Sequence, residues 1–257
     1  MRYAKGSMVI TAEGDIPVLR QVRNSRFVSH RQLYELLLGN GHISCRSTFN
    51  WRIRRLLASG RVSRTAVDWQ GSAVYSITST GLLELESQGD FAVALHSRSR
   101  HMPHPMQVFH ALELNAIRLA LARNRLLVAW QSEVEIASSN MVSTAPYQKD
   151  YDAVVKVRSG TQILEFALEY ERFLKASRHY ARIRAALECE RHVPSVVYLT
   201  ASPDLTVALV YQLTPIAKPV AFATARCFRE HLLATPVSSD ASGTLRTLER
   251  FLQQSSP

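Results

Sequence analysis

Acidic side chains are almost missing from one stretch of this sequence. Between Ile16 and Arg64 the only one is Glu35, against ten arginines: Arg20, Arg23, Arg26, Arg31, Arg46, Arg52, Arg54, Arg55, Arg61 and Arg64. A solvated face usually mixes charge signs, so a one-sided stretch points to a polyanionic partner. The whole chain agrees, with a formal net charge of +10 over 257 residues. Nucleic acid is the commonest partner of a globular protein this basic, and an anionic membrane surface is the rival.

Long apolar runs are missing as well. No stretch approaches the roughly 20 apolar residues that cross a bilayer. The opening MRYAKGSMVITAEGD holds no long apolar segment of the signal-peptide kind. A cytoplasmic protein with no membrane partner is expected. Cysteine is scarce: Cys45, Cys189 and Cys227 are odd in number and far apart, and read as free thiols in a reducing compartment. There is no P-loop, dinucleotide fingerprint or serine nucleophile elbow. Cys189 near His192 lacks an evident third partner for a cysteine protease. His96, His101, His104 and His110 bunch together, but with no cysteine nearby, in a stretch that reads as a linker, they make a weak zinc site.

What is present suffices for a core, since 46% of residues are hydrophobic and 20% charged. Apolar periodicity predicts helices over 16–24, over HRQLYELLL after an N-cap at Ser29, and over about 46–59, with Phe49, Ile53, Leu56 and Leu57 as the last one's apolar stripe. A hairpin follows, RVSRTAV and AVYSIT around DWQGS with Gly71 at the bend, then a short helix from Ser79. Helix, helix, helix, hairpin is the order of a winged helix-turn-helix, whose third helix enters the major groove. With Phe49, Ile53 and Leu56 inward, Arg46, Ser47, Asn50 and Arg54 fall near the exposed side. Arg55 adds to them, and Arg61 and Arg64 on the first wing strand are placed for phosphates. Arginine grips guanine edges or phosphates and asparagine reads adenine. Trp51 is a possible groove contact, although an aromatic there is more often packing. A winged helix used only for protein contacts is the competing view.

The expected domains are a winged helix over 12–90, a Pro-interrupted linker over 91–105, an α/β domain over 106–236, and a tail with a short helix over 237–257. In the α/β domain a long helix covers about 107–124. Strands are predicted over 128–136, 152–157 and 162–171, a charged helix over 174–190, then strand SVVYLTA, helix LTVALVYQL and strand VAFAT. Three acids interrupt the hairpin YDAVVKVRSGTQILEFALEYER, although strands are depleted in acids. By alternation Glu165, Ala167, Glu169 and Glu171 share one face of their strand, and Asp152, Val154 and Lys156 share one face of theirs. Asp152, Glu169 and Glu171 therefore converge if the register permits. Such an oxygen-rich set suits Mg²⁺ or Mn²⁺, which would orient water and stabilise charge on a phosphodiester. The bland reading is that the acids are solvated or paired with Arg172 and Arg178.

An Asp, a turn, then an acid-x-acid strand between helices resembles the PD-(D/E)xK nuclease fold. More narrowly, HALELNAIRLAL with His110, YDAVV with Asp152, LEYER with Glu169, Glu171 and Arg172, and the basic KASRHYARIRAAL follow in an order that resembles the replication-relaxation family of plasmids and mobile elements. The resemblance implies an N-terminal winged helix followed by a restriction-endonuclease-like mixed sheet flanked by helices. It also implies a metal-dependent catalytic set of Asp152, Glu169 and Glu171, with Glu113 as a further acid. Glu171 stands where that fold usually has lysine, so Lys156 or Lys175 would supply the cation, and Asp150 is an alternative to Asp152. Two functions follow as expectations. One is a double-stranded DNA-binding protein, its second domain dimerising or recruiting replication, conjugation or transposition proteins in regulation of transcription or replication. The other is a Mg²⁺-dependent DNA endonuclease or nickase.

Overall fold

Apolar residues three and four apart build the helices of the N-terminal half, and their buried faces meet. The structure is a computed structural model describing residues 9–66, 73–92 and 104–255. It divides into two units, Met1–Asn115 and Ala116–Pro257. Most of the expected linker, the DWQGS turn with Gly71, His96 and His101 lie outside the described residues.

In the first unit α1 (Asp15–Ser25), β1 (Val28–Ser29), α2 (His30–Gly39) and α3 (Arg46–Ala58) precede β2 (Val62–Ala66), β3 (Ala73–Ile77) and α4 (Ser79–Ser87). Ser29 caps α2 as expected: its Oγ accepts the Gln32 N–H at 3.2 Å while the Gln32 side chain accepts the Ser29 N–H at 3.3 Å, the reciprocal capping box. Of the stripe predicted on α3, Phe49, Ile53 and Leu56 are buried, as are Leu19, Leu33 and Leu37 of α1 and α2, while Leu57 is half-buried. The strands form an antiparallel sheet in the order β1-β3-β2. Thr78 caps α4 by accepting the Gly81 N–H at 3.1 Å. Position 81 has to be glycine, because a Cβ there would meet the Arg61 carbonyl oxygen at 2.3 Å. The helix α5 (Pro105–Arg123) belongs to this unit as far as Asn115. Val108 and Ala111 pack on Phe27 and Val74, the Asn115 amide donates to the Phe27 carbonyl at 3.0 Å, and the Gln32 amide donates to the Leu112 carbonyl at 2.7 Å.

In the second unit the chain runs β4 (Leu127–Ser132), α6 (Glu133–Val142), β5 (Ala153–Ser159), β6 (Gln162–Glu171), α7 (Ser177–Cys189), β7 (Val196–Thr200), α8 (Pro203–Leu213) and β8 (Val220–Thr224). Then follow α9 (Ala225–His231), β9 (Pro236–Ser238), β10 (Leu245–Thr247) and α10 (Leu248–Ser255). The sheet order is β10-β9-β8-β7-β6-β5-β4. It is parallel from β6 to β8 and antiparallel at both ends. The buried β7 and β8 explain the unbroken apolar runs VVYLT and VAFA. Val154, Ala167 and Tyr198 share one sheet face, packed with Ile136 of α6, Tyr180 and Leu187 of α7 and Leu209 of α8.

Two expectations are corrected here. The strand predicted over 128–136 ends at Ser132, because the Glu135 carboxylate accepts both the N–H and the hydroxyl of Ser132, at 2.8 and 2.6 Å, and starts α6. The residues over 237–257 are not only a tail with a short helix: β10 pairs with β9, and Val237, Leu248, Phe251 and Leu252 are buried. No described helix is long and apolar enough to cross a membrane.

Candidate nucleic-acid interface and carboxylate cluster

The outer face of α3 carries Arg46, Ser47, Trp51 and Arg54, all exposed. Trp51 is 55% exposed, so it is a surface group and not packing. The Arg55 guanidinium lies over its ring, 4.3 Å from the centroid. Arg55 is itself anchored, donating to the Val9 carbonyl at 2.8 Å and lying 3.4 Å from the buried Asp15 carboxylate. Asn50 is half-buried and interacts with the His30 ring. His30 Nδ1 is 2.9 Å from the Tyr75 hydroxyl, and burial lowers its pKa, with the charges of Arg46 and Arg64 acting in the same direction.

Ion pairs sort the seven residues expected to meet DNA. Arg55 is engaged by Asp15, and Arg61 by Glu84 at 2.7 Å. Elsewhere in the unit Arg20 and Arg23 share Asp90, and Arg31 holds Glu35. Among the described residues no acid pairs with Arg46, Arg54 or Arg64, and all three are exposed. Arg46 lies over the Tyr34 ring at 5.8 Å. Arg64 projects from β2 opposite Tyr75. Among the described residues, exposed cations without an acid partner are therefore found on α3 and on the first wing strand, while Arg20, Arg23, Arg31, Arg55 and Arg61 each hold an acid.

In the second unit the register pairs Ala153 with Leu168, and one step further sets Asp152 across from Glu169. Glu171 follows on the same face. Asp152 accepts the Tyr170 N–H at 2.7 Å. Glu169 and Glu171 are buried, at 5% exposure each, and each meets an ammonium: Lys149 lies 2.6 Å from Glu169, and Lys175 contacts Glu171. Burial pushes the Glu169 carboxyl up to about 7, Lys149 pulls against that, and the Asp152 charge adds to the rise. Burial opposes the Lys175 ammonium, yet Glu171, Glu169 and Asp152 together hold its pKa above the ordinary value. The Tyr198 hydroxyl is fully buried and has no hydrogen-bond partner among the described residues, and burial raises its pKa further from the physiological range, as do the neighbouring acids.

Two other expected residues have partners of their own. Lys156 pairs with Glu165 at 3.3 Å, four residues along β5 from Asp152 and so about 13 Å away at roughly 3.3 Å per residue. Asp150 is exposed and accepts from the Asn140 amide at 2.7 Å. Glu113 and His110 belong to the first unit. Tyr180 of the basic helix is buried, its hydroxyl accepting the Lys175 N–H at 3.0 Å. Sequence reasoning missed Lys149, a basic residue in the loop entering β5. That loop is fixed by the buried Glu190, whose carboxylate accepts the Gln148 N–H at 2.9 Å, the Tyr151 hydroxyl at 3.1 Å and the His192 N–H at 2.6 Å.

Carboxylate oxygens suit Mg²⁺ or Mn²⁺. As placed, however, two ammonium groups and a backbone N–H occupy these acids, and no three His, Cys, Asp or Glu side chains among the described residues gather into a metal site. The arrangement is a charge-balanced acid–lysine network and does not fit a divalent ion as it stands.

One unit of helices with a three-stranded antiparallel sheet, in the helix and strand order of a winged helix, and a second unit built on a seven-stranded mixed sheet flanked by helices define the class: a mixed α/β protein of two units. A family model described as replication-relaxation matches residues 19–188. That is more than half of the chain, which belongs to this family. Membership points to a role in replication or mobilisation of a plasmid or mobile element. Neither a curated protein nor a solved structure matches the chain.

Proposed function

We propose that this protein binds double-stranded DNA through its first unit, with α3 in the major groove and β2 against the backbone, in the service of replication or mobilisation. One observation carries the reading: Arg46, Arg54 and Arg64 are exposed and unclaimed by any described acid, on the helix and wing strand that a winged helix presents to DNA. Arginines held by internal acids contribute less to phosphate binding, because their charge is already neutralised. Trp51 adds an apolar group on the same face, suited to thymine methyls or sugar edges. The second unit serves as a dimerisation or partner scaffold, its acids balanced by Lys149 and Lys175.

The test is anisotropy of a fluorescent random-sequence duplex titrated with the full chain. Binding that weakens steeply with salt, and weakens again in Arg54→Ala, supports the reading. An affinity flat across the salt series removes it. Supercoiled plasmid incubated with the protein and Mg²⁺ separates the nuclease alternative: a shifted but intact plasmid is expected, and nicking lost in Glu169→Ala would make the acids a catalytic site.

A further inference from the structure

The loop after β6 and the start of α7 carry features that the duplex-binding reading does not use. Phe173 and Leu174 are adjacent, and they are 59% and 50% exposed. Apolar groups of this size usually find cover, and a pair side by side is more informative than a lone one. The Arg172 guanidinium lies 5.9 Å from the centre of the Phe173 ring. The helix that follows is unusually open, with Tyr180 and Leu187 its buried residues. Arg178 and Arg182, four residues apart and so on one face, are exposed, and no described acid pairs with either. The helix has no acid until Glu188.

We infer that Phe173 with Arg178 and Arg182 forms a second nucleic-acid site, on the second unit, for single-stranded DNA or RNA. The chemistry decides the class. A projecting phenyl ring stacks on an unpaired base, whereas a duplex keeps its bases stacked on one another. Two cations one turn apart follow the phosphates of the same strand. Aromatic platforms beside a basic track are how single strands are held without sequence readout. An anionic lipid surface would also accept Phe173, Leu174 and cations, but an interfacial helix needs an apolar stripe along its length. The exposed face of α7 offers Arg178, His179, Ala181, Arg182 and Ala185 instead.

The experiment uses the full chain in an Arg46→Ala/Arg54→Ala background, which weakens the proposed duplex site, and a fluorescent 20-nucleotide oligo-dT as probe. Phe173→Ser is expected to weaken binding about five-fold or more, the loss of one stacked base. Arg178→Ala/Arg182→Ala is expected to lower the salt slope by roughly 1.4, at about 0.7 per phosphate on a single strand. All three positions are exposed, so thermal midpoints should not move. In the otherwise wild-type chain the same variants should leave duplex affinity unchanged, which keeps this inference separate from the reading of the first unit. No binding of oligo-dT, or equal binding by wild type and variants, overturns it. So does binding to phosphatidylserine vesicles that is lost in Phe173→Ser while oligo-dT binding stays, which would assign the surface to lipid.

Discussion

The Asp152 carboxylate accepts the Tyr170 N–H at 2.7 Å and so ties the entry of β5 to the end of β6. An acid in this position has a structural task whatever else it does. Asp152→Ala leaves that N–H without its partner, which costs about 1–3 kcal/mol. Asp152→Asn keeps an acceptor oxygen and should recover most of the loss. Urea unfolding of the two variants checks this. Equal stability of both with wild type would mean that the bond contributes nothing. The comparison also matters for function, because lost activity in Asp152→Ala alone does not separate chemistry from folding.

Glu169 makes stability depend on pH in the direction opposite to a well-paired surface acid. Its folded pKa is raised from the ordinary 4.5 to about 7 by burial. The native state therefore holds a proton that the unfolded chain has released, and stability falls as pH rises through that window. Below about 4.5 the contribution is complete. Above about 7 the buried charge has to be carried. Between pH 5 and pH 8 wild type should lose on the order of 1–3 kcal/mol more than Glu169→Gln, which has no proton to release. Urea midpoints at the two pH values measure it. Parallel behaviour of the two proteins would show that Lys149 keeps Glu169 ionised throughout.

Local periodicity made most of this fold legible. The stripe of α3 and the cap at Ser29 are decided by neighbours in sequence and are found in the structure, whereas β6 is buried on both faces from Phe166 onward. The second strand boundary was not legible, because Val134 and Ile136 alternate like a strand, while one side-chain contact, Glu135 to Ser132, turns them into a helix. Strands β9 and β10 have three residues each, too few for alternation to register. At the sites, the sequence placed the acids on one face but not their partners. Lys149 comes from a loop whose position depends on the distant Glu190. The arginines were equivalent in the sequence, and only long-range contacts with Asp15 and Glu84 distinguish Arg55 and Arg61 from Arg54.

That distinction predicts different outcomes for two similar substitutions. Arg54 is exposed without an acid partner, so Arg54→Ala should lower the salt slope of duplex binding by about 1, one phosphate contact. Arg61 is held by Glu84, so Arg61→Ala should leave the slope alone and cost up to about 1 kcal/mol of stability. Anisotropy across a salt series, together with thermal unfolding, reads both. A larger slope change in Arg61→Ala than in Arg54→Ala would mean that DNA displaces Glu84.

Cys45 offers a reporter at the start of α3. Its sulfur lies 3.1 Å from the Ser47 hydroxyl and 3.2 Å from the Thr48 hydroxyl. These contacts, Ser47 foremost, lower the thiol to about 6. Cys227 is shifted the other way by burial. The thiolate is the nucleophile, so iodoacetamide at pH 7 should label Cys45 ahead of Cys227, with a rate midpoint near pH 6 that Ser47→Ala moves upward. Peptide mass spectrometry after short exposures gives the order. Because Cys45 adjoins Arg46 and Ser47, a duplex seated on α3 should slow its alkylation several-fold. The protection should vanish in Arg46→Ala/Arg54→Ala at equal DNA concentration. Unchanged labelling with DNA bound would place the duplex on another face of the first unit and remove α3 from the groove.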